Sequence, residues 1–153
     1  MRLFLAGIMQ GSHVGEVLHD QVYRARLRTL LESHLAGAEV YDPLADHQQS
    51  IDYGYDKGRR VFMEHNRMCG EVDVVVAFVP EASMGTAVEM WEAHRNGRVV
   101  VAISPLKHNW AVKFLSDILY PDLERFEEEL TSGRLRNRIE QLRTSDRSNS
   151  PCS

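Results

Sequence analysis

Two kinds of run alternate along this chain. Short, nearly continuous apolar stretches occur at 2–6, Glu39–Tyr41, Asp73–Phe78 and Val99–Ile103, with a briefer one near Ile118–Leu119. Between them lie stretches in which apolar residues recur every three or four positions: Val17–Leu35, Asp56–Cys69, Ser83–Asn96 and about Asp122 to Leu130. The first kind predicts strands and the second helices, and strict alternation predicts a parallel sheet with helices on both faces. The runs at Val74–Phe78 and Val99–Ile103 carry almost no polar residue, as strands buried on both faces do, so they should be central. The expected fold class is α/β, a single three-layer α/β/α domain around a five-stranded parallel sheet.

Within Val17–Leu35, residues Leu18, Val22, Ala25, Leu27, Leu30 and Leu31 recur at helical spacing, and Gly37 closes the run as a C-terminal glycine does. Residues Asp42–Lys57 show no period and are rich in Asp, Tyr, Gln and Gly, which suits a loop over a substrate. After Ile103 come a polar turn through Trp110, a short helical stretch and an edge strand. Residues 1–133 are expected to form the domain. Residues 134–153 read as a basic extension, a helical turn or two from Arg134 and disorder from about Thr144.

At 153 residues the chain is long enough for an ordinary hydrophobic core. Its net charge of −4, with both signs mixed along the chain, gives no electrostatic footprint for a nucleic-acid polymer, so the expected partners are small molecules. The opening MRLFLAGIMQG is broken by Gly7 and Gly11, too short for a secretory or membrane-spanning segment, and reads as the first strand. The cysteines, Cys69 and Cys152, are isolated, which argues for a reducing cytoplasm. Seven histidines show no compact ligand spacing, and neither a metal nor another cofactor is expected.

The segment from Asp73 to Gly97 carries the chemistry: a buried strand, a polar loop, and a helix with Glu89 near its start. In an open α/β sheet the ligand crevice lies beyond the carboxyl ends of the strands, which is where this loop delivers Glu89. A second reading fits the same residues. Thr86 and Glu89 match the T-x-x-E capping box, in which both only satisfy orphan amides. The first reading requires the helix to begin nearer Ser83, the second at Thr86.

The glycine-rich turn from Gly7 to Gly15 precedes a helix, a geometry that binds anions, but it lacks the dinucleotide and P-loop spacings. No G-x-S-x-G is present, and Cys69 sits in mid-helix, so Glu89 is the best nucleophile or base. A carboxylate nucleophile suits displacement at an anomeric carbon through an oxocarbenium-like transition state. Candidate donors to the leaving group are His65, Asn66, Asp46, Asp52 and Asp56.

The run from Asp73 to Ala77, the element from Ser83 through Gly85 and Thr86 to Glu89, and the opening Leu3–Gly7 with its glycine turn resemble the nucleoside 2-deoxyribosyltransferase family over roughly residues 1–105. The resemblance implies a flavodoxin-like, Rossmann-like fold and cleavage of the N-glycosidic bond of a nucleoside or nucleotide, with Glu89 attacking C1′. The serine six residues before the glutamate is the choice of the family's 5′-monophosphate glycosidases, whereas its transferases tend to carry Asp there. It implies that Ser83 contacts a phosphate, with Gly7, Gln10, Gly11 and Ser12 completing the cradle. The family also implies a homodimer or higher homo-oligomer in which a neighbouring subunit finishes the pocket, with Asn109 or His108 as that contribution.

Two positions depart from the family. A first-strand tyrosine that orients the carboxylate is replaced by Phe4, and an aspartate that helps protonate the leaving base is replaced by His65, which can donate a proton near neutral pH. The favoured activity is hydrolysis. The alternatives are 2-deoxyribosyl transfer and a non-catalytic nucleotide-binding module on the same fold. The G-T-x-x-E element also resembles the cytokinin-activating phosphoribohydrolases, without the paired glycines expected before Gly85.

Overall fold

The structure, a computed structural model, describes residues 1–9 and 20–145. Among them are five parallel strands: β1 (Arg2–Gly7), β2 (Glu39–Tyr41), β3 (Val74–Phe78), β4 (Val99–Ile103) and β5 (Ile118–Tyr120). Their spatial order is β2-β1-β3-β4-β5, which makes β3 central and β5 an edge, as the apolar runs predict. The helices are α1 (Val22–His34), α2 (Pro43–Asp46), α3 (Tyr55–Cys69), α4 (Met84–Arg95), α5 (Trp110–Leu115), α6 (Leu123–Thr131) and α7 (Arg134–Thr144).

The period of two along each strand sorts side chains into two cores. Leu3, Leu5, Val74, Val76, Val99 and Val101 face one side, where Leu27 and Leu31 of α1, Phe126 of α6 and Leu135 and Ile139 of α7 cover them. Phe4, Ala6, Val75, Ala77, Val100 and Ala102 face the other, under Cys69 of α3, Met90 and Ala93 of α4 and Val112 of α5. The result is the three-layer α/β/α sandwich expected from the sequence.

Several boundaries differ from the sequence expectation. Residues 20 and 21 are not helical, and α1 starts at Val22, whose amide donates to Asp20 Oδ1 at 2.9 Å. The stretch from Asp42 to Lys57 is not one open loop. Asp42 caps α2 by accepting from Leu44 N–H at 3.1 Å, Pro43 takes the first helical position, and Ser50–Asp52 forms a 3-10 turn. The basic segment after Gly133 is a three-turn helix rather than a turn or two, because Leu135 and Ile139 recur on one face and reach the core. Burying each contributes about 1.5–3 kcal/mol. The disorder expected toward the C-terminus concerns residues outside the described ones.

From β1 the chain crosses to one side for β2 and to the other for β3, so the direction of winding reverses between β1 and β3. A crevice opens at the carboxyl ends of two strands whose connections diverge in this way. Gly7 and Phe78 are register partners at that end, and β3 feeds α4 from it.

Candidate active site

Helix α4 does not begin as the capping-box reading of Thr86 and Glu89 requires. The N-cap is Ser83, in extended conformation (φ −135°, ψ 117°), and Thr86 lies inside the first turn. Ser83 Oγ accepts from Thr86 N–H at 3.4 Å and from Thr86 Oγ1–H at 3.0 Å. Thr86 is therefore not the cap, and Glu89 stands in the second helical turn, half-buried. With both acceptor positions of its hydroxyl engaged, Ser83 keeps its own O–H to donate to a ligand.

A cleft of about 330 Å³ brings Gly7, His65, Ser83, Gly85 and Glu89 together. Gly7 comes from the end of β1, His65 from α3 and the rest from α4 and its cap, while Met9 and Phe62 supply apolar wall. Gly85 faces open space, with nothing within 4 Å of a Cβ placed there. At the start of α4 the backbone amides and the positive end of the helix dipole favour an anion.

Electrostatics in the cleft run against the ordinary protonation states. Burial pushes Glu89 up to about 8, opposed by the positive charge of Arg24. Burial, and next the neighbouring His47, hold His65 below the usual histidine range. His65 Nε2 lies 3.2 Å from Tyr41 Oη, and its ring stands edge-on to Phe4 at 6.0 Å between centroids. Phe4 is thus the apolar floor under the histidine, and no described contact gives it a polar role.

A second chamber of about 350 Å³ adjoins the first and shares His65, Phe62 and Met9 with it. Its far wall is the former loop: His47 Nδ1 lies 3.1 Å from Tyr53 Oη, and Ile51 and Val61 supply apolar surface. His65 is the partition between the two chambers. The His47 and His65 rings are 5.2 Å apart.

The remaining sequence-derived residues are placed differently. Asn66 is buried beside His65 and spends its Nδ2 on Phe62 C=O at 2.8 Å, and its Oδ1 finds no partner among the described residues. It does not line the cleft. Asp52, Asp46 and Asp56 are exposed and line neither chamber. Asn109 caps α5, accepting from Ala111 and Val112 amides at 3.0 and 3.3 Å, and borders a separate groove between α4 and α5, while His108 is exposed. Gln10, Gly11 and Ser12 lie outside the described residues.

Two residues that no motif marked meet here, Tyr23 and Arg24 of α1. Tyr23 packs on Phe78 at 4.3 Å and donates from its hydroxyl to Ile8 C=O at 3.3 Å. Burial pushes its phenol up to about 12, so it stays protonated. A Cβ on Gly7 would strike the Tyr23 hydroxyl. Gly7→Ala should displace Tyr23 from Phe78 and cost about 1–3 kcal/mol of stability, read by chemical denaturation. An unchanged midpoint would show that Tyr23 moves aside freely.

Fold and cleft together define a doubly wound α/β domain with a carboxylate at its switch point. Comparison with solved structures makes this more specific. The chain is similar to a 2-deoxyribosyltransferase from the psychrotolerant bacterium Bacillus psychrosaccharolyticus, at a TM-score of 0.61 and 17% identity over 83% of this chain and 90% of that one. It is also similar to a conserved protein from Enterococcus faecalis V583, at a TM-score of 0.52 and 18% identity over 92% of this chain and 98% of that one. No family model and no curated protein matches the sequence. The chain thus has the nucleoside 2-deoxyribosyltransferase-like fold.

Proposed function

We propose that the protein cleaves the N-glycosidic bond of a nucleoside 5′-monophosphate or nucleoside, with hydrolysis favoured over 2-deoxyribosyl transfer. The observation that carries this reading is the placement of Glu89 and His65 in one cleft at the switch point, with Ser83 and the α4 terminus at its rim. The sugar lies over Glu89 and the base extends past His65 into the second chamber, whose apolar walls and rings suit a planar heterocycle. A Glu89 oxygen attacks C1′, the bond to the base breaks, and its electron pair leaves with the base nitrogen, which takes a proton from His65. Water then attacks C1′ and gives its proton to the now neutral His65, the bond from C1′ to the Glu89 oxygen breaks, and both side chains return to their starting forms.

Ser83 and the first amides of α4 hold the 5′-phosphate in this reading, and Gln10, Gly11 and Ser12 remain candidates to complete the cradle. The homo-oligomer belongs to the same reading. It is supported by Met84 and Trp91 on α4 and Trp110 and Phe114 on α5, all large apolar side chains left exposed. A cytoplasmic setting is supported by the free, buried thiol of Cys69. No described helix is long and apolar enough to cross a membrane.

Free-base release from ribo- and deoxyribonucleosides and their 5′-monophosphates, with and without an acceptor base, tests the reading. Faster release from monophosphates than from the matching nucleosides is expected, with exchange into a second base identifying the transferase alternative and no turnover on any substrate identifying a binding module. Ser83→Ala should lower kcat/KM for the monophosphate by roughly 10- to 100-fold, the loss of one hydrogen bond to a charged group. It should leave the matching nucleoside nearly unchanged. Equal loss on both would remove Ser83 from the phosphate site.

A further inference from the structure

Arg24 has the largest of the fully buried side chains, only 2% exposed. It lies on α1, on the same helical stripe as Leu27 and Leu31. Strand β2 ends at Tyr41, opposite Phe4, so the carbonyls of Leu5 and Gly7 have no strand partner on that edge. The Arg24 guanidinium takes the place of the missing strand. Its Nη1 donates to Leu5 C=O and its Nη2 to Gly7 C=O, each at 3.0 Å. Nη1 also pairs with Asp42 Oδ1 at 3.0 Å, and Nε donates to Gln21 Oε1 at 2.7 Å.

An edge carbonyl can be satisfied by water or a neutral amide, without bringing a charge into the core. A buried ion pair is weak evidence for stability, since desolvating both charges offsets much of their attraction. What the cation does here is set by where it stands, bonded to the carbonyl of Gly7, a residue that lines the cleft with Glu89. We propose that Arg24 is a positioning residue for the Glu89 reaction: its fork holds the end of β1 at the cleft and its charge favours the Glu89 carboxylate.

The other groups around Glu89 leave this task to Arg24. Tyr23 from α1 and Cys69 from α3 are kept in their neutral forms by burial. His65, also from α3, is held toward its neutral form, and Ser83 and Thr86 of α4 are uncharged. Arg24 is the one charge acting against the upward push on Glu89 among the described residues. Its catalytic consequence rests on the N-glycosidase reading; its effect on Glu89 does not.

The test is therefore a direct titration of the Glu89 side-chain carboxyl by carbon NMR in the full-length protein, with the resonance assigned from Glu89→Gln. In Arg24→Gln the midpoint should rise by about one pH unit. Base release at pH 7 should fall about tenfold with it, and Arg24→Lys, which keeps the charge and loses the fork, should stay close to wild type in the titration. A folded Arg24→Gln protein with an unmoved Glu89 midpoint overturns the assignment. Should Arg24→Gln fail to fold, Arg24→Met removes the charge while keeping most of the buried aliphatic stem. Its Glu89 midpoint should rise by the same amount, and no movement overturns the assignment equally. A wild type that titrates as expected but releases no base sinks the N-glycosidase reading and leaves the role of Arg24 standing.

Discussion

Replacing Glu89 by Gln should abolish turnover and at the same time make the protein more stable at alkaline pH. The two effects share a cause. A carboxyl held half-buried in a cleft is an ionisable group whose charged form the fold disfavours, and the pKa of Glu89 rises from an ordinary value of 4.5 to about 8. A raised pKa contributes stability that is fully present below the unfolded value and lost as pH climbs through the folded one. Wild type should therefore weaken between about pH 4.5 and 8 relative to the glutamine variant.

Allowing for the partial exposure of Glu89, the difference should reach about 2–4 kcal/mol above pH 8, on the order of 5–10 °C in Tm for a domain of this size. Base release should drop by roughly 10⁴-fold or more, as when other covalent nucleophiles are removed. Melting curves at pH 5 and pH 9 check the first effect and base release the second. A variant that loses activity without gaining alkaline stability would mean that Glu89 is not desolvated as the structure has it. One that keeps activity would displace Glu89 as nucleophile.

His65→Gln should change the shape of the pH profile as well as the rate. With Glu89 raised and His65 lowered, the free enzyme near pH 7 holds a protonated glutamate and a neutral histidine. The pair the proposed reaction needs, ionised Glu89 with protonated His65, carries the same number of protons and is a minority tautomer of that form. Its share is constant between the two pKa values, falls below the lower one as a proton is added, and falls above about 8 as one is lost. Wild type should thus give a bell.

Without His65 only the ionisation of Glu89 matters, so the variant's rate should rise through about pH 8 and level off. At pH 7 it should be lower than wild type by roughly 10²- to 10⁴-fold, the usual contribution of a general acid. The sign of the slope above pH 8 decides the matter. A variant whose rate still falls there would show that another group protonates the departing base.

The layers of the fold were legible because strand and helix periods differ, and the runs at Val74–Phe78 and Val99–Ile103 had no polar side to expose. Of the stripe expected in helix α1, Leu27 and Leu31 reach the core and Leu30 packs against it. Val22 and Ala25 are apolar but exposed, and the buried face runs through Arg24, Leu27 and Leu31. An arginine three and seven positions before two core leucines is a visible signal. It was masked because a charged side chain counts as polar in any periodicity, although a guanidinium with four bonded partners buries readily. The helical packing of Leu135 and Ile139 was hidden in the same way, among arginines that face solvent.

Glu89, Ser83 and Gly85 lie on one contiguous strand, loop and helix, and the fold carries that local order into one cleft, whereas Gly7 and His65 reach it from β1 and α3 and are marked in the sequence by the glycine-rich turn and by the family resemblance. Asp52 and Asn109 could not be judged that way. Polar residues in loops have several uses, and Asn109 is consumed as a helix cap. His47 and Tyr53, which wall the second chamber, sit in a stretch without period, where proximity comes only from the tertiary fold.

The most direct measurement is peptide mass analysis of the protein after incubation with a 2′-fluoro-arabino nucleoside 5′-monophosphate. Its fluorine disfavours the oxocarbenium-like transition state of the second step and lets a glycosyl-enzyme accumulate. The expected result is stoichiometric base release with one fluorinated sugar phosphate on the peptide containing Glu89, absent in Glu89→Gln. Release of base with the sugar on another residue, or release that persists in Glu89→Gln, would contradict Glu89 as the nucleophile.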